Sequence, residues 1–127
     1  MNLRWTALVA LAIVAMAFAG CSSGTSAQPV VLTPGADGKY TIQLTPSNMF
    51  SPRDSKVPLN ATVVFASQGN HDVQVTDAQG NTVASSGSNA SLPPGKSYEF
   101  TFTKAGTYTL TCKVHQYAGM KGTLTVA

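Results

Sequence analysis

The stretch Cys112-Lys-Val-His115-Gln-Tyr-Ala-Gly-Met120 brings a thiol, an imidazole and a thioether together within nine residues. Beyond the first twenty positions the chain has one other histidine, His71, one other methionine, Met49, and one other cysteine, Cys21. Thiolate, imidazole and thioether form the soft-to-borderline donor set that copper favours. Two imidazoles and a thiolate in a trigonal plane with a weak axial Met make a blue-copper site. Taken singly, each residue has an ordinary explanation. An isolated Cys112 reads as a buried inert thiol, His115 as a polar loop residue, His71 as a satisfied strand-end residue and Met120 as core filler. The joint pattern reverses this, because the four fall where one site needs them. His71, Cys112, His115 and Met120 are therefore the candidate ligands of one copper ion. Met49 is surplus, and core or rim packing beside Phe50 is its expected role.

Such a site needs a loop, since alternating strand faces cannot aim three nearby side chains at one point. Short apolar-alternating runs punctuated by Gly and Pro predict strands at Val30–Thr33, Tyr40–Thr45, Thr62–Ala66, His71–Thr76, Ser97–Thr103, Thr107–Cys112 and Gly122–Val126. Turns are expected at 34–35, 79–80, 93–95 and 105–106. No window has a convincing 3.6-residue period, so any helix is short, and the polar stretch 77–90 takes no assignment. Residues two apart share a strand face. Tyr108, Leu110 and Cys112 thus form one inward stripe, with His71, Val73 and Val75, Tyr98, Phe100 and Phe102, and Leu124 and Val126 as others. Cys112 and His71 end their stripes, at one pole of a core. His115 and Met120 lie on the loop between the last two strands.

Residues 1–20 differ from the rest, with 16 apolar residues against 39 in the remaining 107. Arg4 and the 15-residue apolar run Trp5–Ala19 read as an export signal, too short for the roughly 20 residues of a spanning helix. Phe18-Ala19-Gly20-Cys21 resembles the lipobox of bacterial lipoproteins, in which the cysteine is lipidated, although Phe18 stands where Leu is usual. The competing reading is cleavage after Ala19, which leaves an unpaired thiol in an oxidising compartment. The expected organisation is a signal peptide at 1–20, a Ser/Gly tether at 21–28 and one domain at 29–127. Without Arg4 the net charge is +2, with no basic cluster of the kind a nucleic-acid binder needs. Lys113 and Lys121 read as solvated charges.

The ligand segment resembles the cupredoxins, and within them the plastocyanin/pseudoazurin group, whose pattern is G-x-Y-x-x-x-C-x-x-H-x-x-x-G-M-x-G. Gly106, Tyr108, Cys112, His115, Gly119, Met120 and Gly122 match every fixed position. Upstream, Phe50-Ser-Pro52, Val57 and Thr62-Val-Val-Phe65 look like the strand pair before the first histidine ligand, and the resemblance covers residues 39–127. It implies an all-β, Greek-key β-sandwich of about seven to eight strands and His71, Cys112, His115 and Met120 as the copper ligands. Asn60 replaces a common Gly in a turn, which Asn tolerates. Asp72 replaces the Asn whose side chain ties the ligand strands together in that family. The N–H groups of Asp72 and Val114 remain candidate donors to the Cys112 sulfur.

The resemblance implies a one-electron carrier, not an enzyme, since four protein ligands leave no open position for substrate. The alternatives are a copper-holding or delivery lipoprotein on the same fold and a metal-free interaction module. The outer edge of His115, with Tyr117 and Ala118, is the expected electron port, and Thr111 stands where plant-type relatives have a second, aromatic port. A monomer is expected, meeting redox proteins in brief encounters. Its expected location is the outer face of the cytoplasmic membrane or a periplasm-facing membrane, held by lipid on Cys21.

Overall fold

The computed structural model describes residues 27–127. The expected signal peptide, Cys21 and most of the tether lie outside the described residues. Ten strands and one short 3₁₀ turn follow in chain order: β1 (Val30–Val31), β2 (Tyr40–Leu44), β3 (Phe50–Ser51), β4 (Asp54–Val57), β5 (Thr62–Ser67), β6 (Gln74–Thr76), β7 (Thr82–Ser85), β8 (Ser97–Thr101), β9 (Gly106–Thr111), the turn Gln116–Ala118, and β10 (Lys121–Val126). They form two sheets, ordered β1-β4-β10-β9-β6-β7 and β3-β2-β5-β8. The all-β sandwich expected from the sequence is present.

The strand count exceeds the expectation for physical reasons. β3 and β4 are short and separated by Pro52, so their periodicity is too brief to read. β7 lies inside the polar segment 77–90 because only Ala84 of its four side chains is buried. The expected strand from His71 begins only at Gln74. His71 instead pairs with Leu92 in an isolated bridge, each accepting the other's N–H at 3.0 and 2.8 Å.

Period-2 alternation sorts the side chains as anticipated. Val63 and Phe65 on β5, Tyr108 and Leu110 on β9, and Leu124 and Val126 on β10 fill the space between the sheets. Each such fully buried aliphatic or aromatic group stabilises the fold by roughly 1.5–3 kcal/mol relative to exposure. The β8 stripe is weaker than expected. Phe102, one residue past the strand, is buried, but Tyr98 and Phe100 on the strand itself are only partly covered, because β8 is an edge strand. Asn60 adopts a left-handed conformation at φ 65°, the property that lets Asn stand for Gly in such a turn.

β9 and β10 pair along their whole lengths, from Lys121 opposite Thr111 to Val126 opposite Gly106. β9 therefore delivers Cys112 to the end of the sandwich, and residues 113–120 must reverse the chain there. Gly122 lets β10 approach the β3–β4 turn, since a Cβ at this position would overlap the Arg53 carbonyl.

Candidate metal centre

Four segments meet at this pole. Cys112 is fully buried at the end of the Tyr108–Leu110 stripe. The 3₁₀ turn then closes on Gly119, whose left-handed φ of 78° suits a residue without Cβ. Two hydrogen bonds shut the loop: Cys112 N–H donates to the Met120 carbonyl at 3.1 Å, and Met120 N–H to the His115 carbonyl at 3.3 Å. Met120 is thereby held beside Cys112, with its side chain buried. His71 arrives from its bridge to Leu92.

The orientation of His71 follows from its partners. Its Nε2 lies 2.9 Å from the Thr45 carbonyl, and a carbonyl can only accept, so Nε2 carries the proton. Burial pushes the His71 pKa down, opposed by the Thr45 hydrogen bond, while His115 lowers it further. The neutral ring therefore presents the lone pair of Nδ1 to the site. Gly69 makes room for the ring, because a Cβ there would stand 2.7 Å from Nε2. Thr45 and Gly69 were not identified from sequence. One acts through a backbone carbonyl and the other through an absent side chain, and neither leaves a residue-type signal.

His71 Nδ1, His115 Nδ1 and Cys112 Sγ form a triangle with sides of 3.2, 3.6 and 3.9 Å. The point equidistant from all three lies about 2.1 Å from each, within the roughly 2.0–2.3 Å range of bonds from a first-row metal to nitrogen and sulfur. With buried Met120 completing the donor set, the site is suited to copper. His71 and Cys112 are buried and His115 is partly exposed, so the last is the ligand-type side chain open to the surface.

Burial pushes the Cys112 thiol up. The N–H groups of Asp72 and His115 pull it the other way, the Asp72 carboxylate adds to the rise, and the Val114 N–H lowers it more weakly. Three backbone donors thus favour the thiolate; the His115 N–H was not among those anticipated. Asp72 does tie the ligand segments together. Its Oδ1 accepts the Lys113 N–H at 2.6 Å, while Oδ2 is buried without a partner among the described residues. The departure from Asn therefore keeps the acceptor of the tether. Of the expected port residues, Tyr117 is 97 % exposed and Ala118 is exposed.

The cupredoxin-like domain model matches residues 8–126. The chain belongs to the cupredoxin-like family. A plastocyanin from Sambucus nigra is 32 % identical over 98 residues, covering 76 % of this chain and 97 % of that protein. A plastocyanin from Scenedesmus fuscus is 61 % identical over 33 residues, which span 26 % of this chain and 34 % of that relative. Among solved structures, a reduced amicyanin variant superposes with TM-score 0.58 at 23 % identity, over 81 % of this chain and 95 % of the other; this likeness is one of fold. A copper-containing nitrite reductase from Thermus scotoductus gives TM-score 0.55 at 32 % identity, over 80 % of this cupredoxin but only 25 % of the reductase. The fold and the copper-suited His-Cys-His-Met constellation are those of a cupredoxin-type electron carrier.

Proposed function

We propose that the protein is a type 1 blue-copper one-electron carrier working outside the cytoplasmic membrane, with His71, Cys112, His115 and Met120 as the ligands. The triangle of Nδ1, Nδ1 and Sγ at the bottom of the ligand loop carries this reading. Bound copper would supply a Cu(I)/Cu(II) couple, accepting and releasing one electron. The chain's own residues hold the donors still. The Thr45 carbonyl fixes the His71 tautomer and the His71–Leu92 bridge fixes its backbone. The β9–β10 ladder and the Asp72–Lys113 hydrogen bond hold the loop. A donor set that need not rearrange keeps the barrier to electron exchange low. Burial of Cys112 and Met120 supports a resident ion over one held for delivery, for which exchangeable, open ligands would serve better.

The reading as a carrier and not an enzyme rests on four protein donors filling the site, which leaves no position for a substrate. The nitrite reductase likeness covers a quarter of that protein, so it concerns one domain-sized part of it. The apolar leader and the sequence around Cys21 support export and lipid anchoring. Voltammetry of the copper-loaded protein should give one reversible one-electron wave, lost in Cys112→Ser, and a wave surviving in that variant would refute the ligand set. Cys21→Ala should release the protein from washed membranes. Its retention there would refute lipid anchoring.

A further inference from the structure

Beside the ligand loop, a recess of about 290 Å³ is lined by Asn48 and Met49 from the β2–β3 turn, Arg53 from the β3–β4 turn, and Ala118, Gly119 and Lys121. Its frame is fixed by backbone hydrogen bonds. Thr45 N–H donates to Met49 O at 2.9 Å, Thr123 N–H to Arg53 O at 3.0 Å, and Lys121 N–H to Gly119 O at 2.8 Å. Two cationic side chains border it, and neither Arg53 nor Lys121 has an acidic partner among the described residues, where the ion pair formed is Lys39–Glu99. Asp54, next to Arg53 in sequence, is taken up by the Thr123 hydroxyl at 2.8 Å. The recess therefore joins positive charge at its edge to an apolar wall made by the Met49 side chain, 56 % exposed, and the Ala118 methyl.

That combination selects a ligand chemistry. Two unpaired cations attract an oxyanion, and a guanidinium holds a carboxylate through two parallel N–H donors. A free inorganic anion would gain nothing from Met49 and Ala118, whereas a glutamate side chain carries an aliphatic stem to lie against them. We propose that this recess is a subsite for a glutamate carboxylate on the surface of the redox partner, seated between Arg53 and Lys121. The inference rests on the carrier reading above, because it is electron exchange that requires a partner at this pole. Gly119 lines the recess and Met120 follows it, so the seated carboxylate would bring the partner against the ligand loop, beside the partly exposed His115. An exposed charge pair contributes little, which suits a complex that must dissociate quickly.

The test is a titration of the ¹⁵N-labelled, Cu(I)-loaded protein with tri-glutamate, using tri-glutamine as the uncharged control and inorganic phosphate as the stemless anion. Tri-glutamate should shift the amides of Asn48, Gly119 and Lys121 more than phosphate does at equal concentration, and tri-glutamine should not shift them. Arg53→Gln and Lys121→Gln should each weaken its binding roughly two- to fivefold. Lys104→Gln, which removes the same charge at the far end of β9, should weaken it less. Absence of shifts at millimolar tri-glutamate would overturn the proposal. So would an equal loss in Lys104→Gln, which would mark diffuse attraction, or phosphate shifting these amides as strongly as tri-glutamate. A protein that gives a reversible voltammetric wave but ignores tri-glutamate keeps the carrier reading and loses the subsite. One that binds tri-glutamate here without such a wave keeps the anion recess and loses the carrier.

Discussion

Histidine 71 is where burial, tautomer and ligation meet. Its folded-state pKa lies below the ordinary value of 6.5, mainly through burial. As the pH falls below about 6.5, the unfolded chain therefore binds more protons than the folded one. This contribution to stability is complete above the unfolded pKa and is lost as pH falls through the folded value. Urea unfolding of the copper-free protein should show a midpoint that drops between about pH 7 and pH 5, with a shallower drop in His71→Gln. Equal pH dependence in the two would contradict the assignment. The ligands also need a neutral imidazole and a thiolate, so acid should weaken metal binding as well. The four ligand-type residues were legible because side-chain type and spacing carry that information. Thr45, Gly69 and the N–H of His115 were not, because they act through backbone or through space left empty.

The elements that position the site divide the same way. β9 and β10 were readable because alternation over six residues separates buried from exposed side chains on both strands. β3 and β4 have two and four residues, too few for a period to emerge, and β7 buries a single alanine. The approach of β10 to the β3–β4 turn was equally hidden, although Gly122 marks it. Gly122→Ala would drive a methyl into the Arg53 carbonyl, a backbone atom that cannot rotate away. Overpacking of this kind costs about 1–3 kcal/mol. A drop of that size in the stability of the copper-free protein is expected from denaturant titration, and an unchanged midpoint would show that the strands can separate without penalty.

On the scale of the whole molecule, the site pole joins an exposed apolar rim to positive charge. Met49, Val114 and Tyr117 are exposed there at 56, 42 and 97 %. Lys113, Lys121 and Arg53 are exposed around them. Asp77 and the paired Glu99 belong to other parts of the surface. On the proposed carrier reading this arrangement would suit brief encounters, in which charge governs the rate of approach and the small apolar contact leaves quickly. Ala118→Glu should slow electron exchange with a macromolecular partner by several-fold in stopped-flow measurements, leaving the visible spectrum unchanged. Substitution of Thr111, partly buried on β9, should barely alter the rate. The opposite pattern would move the port away from His115. The sandwich class was readable from short period-2 runs punctuated by Gly and Pro. The recess at the port was not, because it is assembled from two stretches, 47–53 and 118–121, that are distant in sequence.

Whether His71, Cys112, His115 and Met120 form one copper centre is tested most directly by titrating the purified protein with Cu(II), followed by visible absorption and EPR. A single equivalent should produce an intense visible band and a narrow copper hyperfine splitting, both requiring a sulfur–copper bond and both absent in Cys112→Ser. A weak band with wide hyperfine splitting, or the same spectrum in the serine variant, would contradict the site.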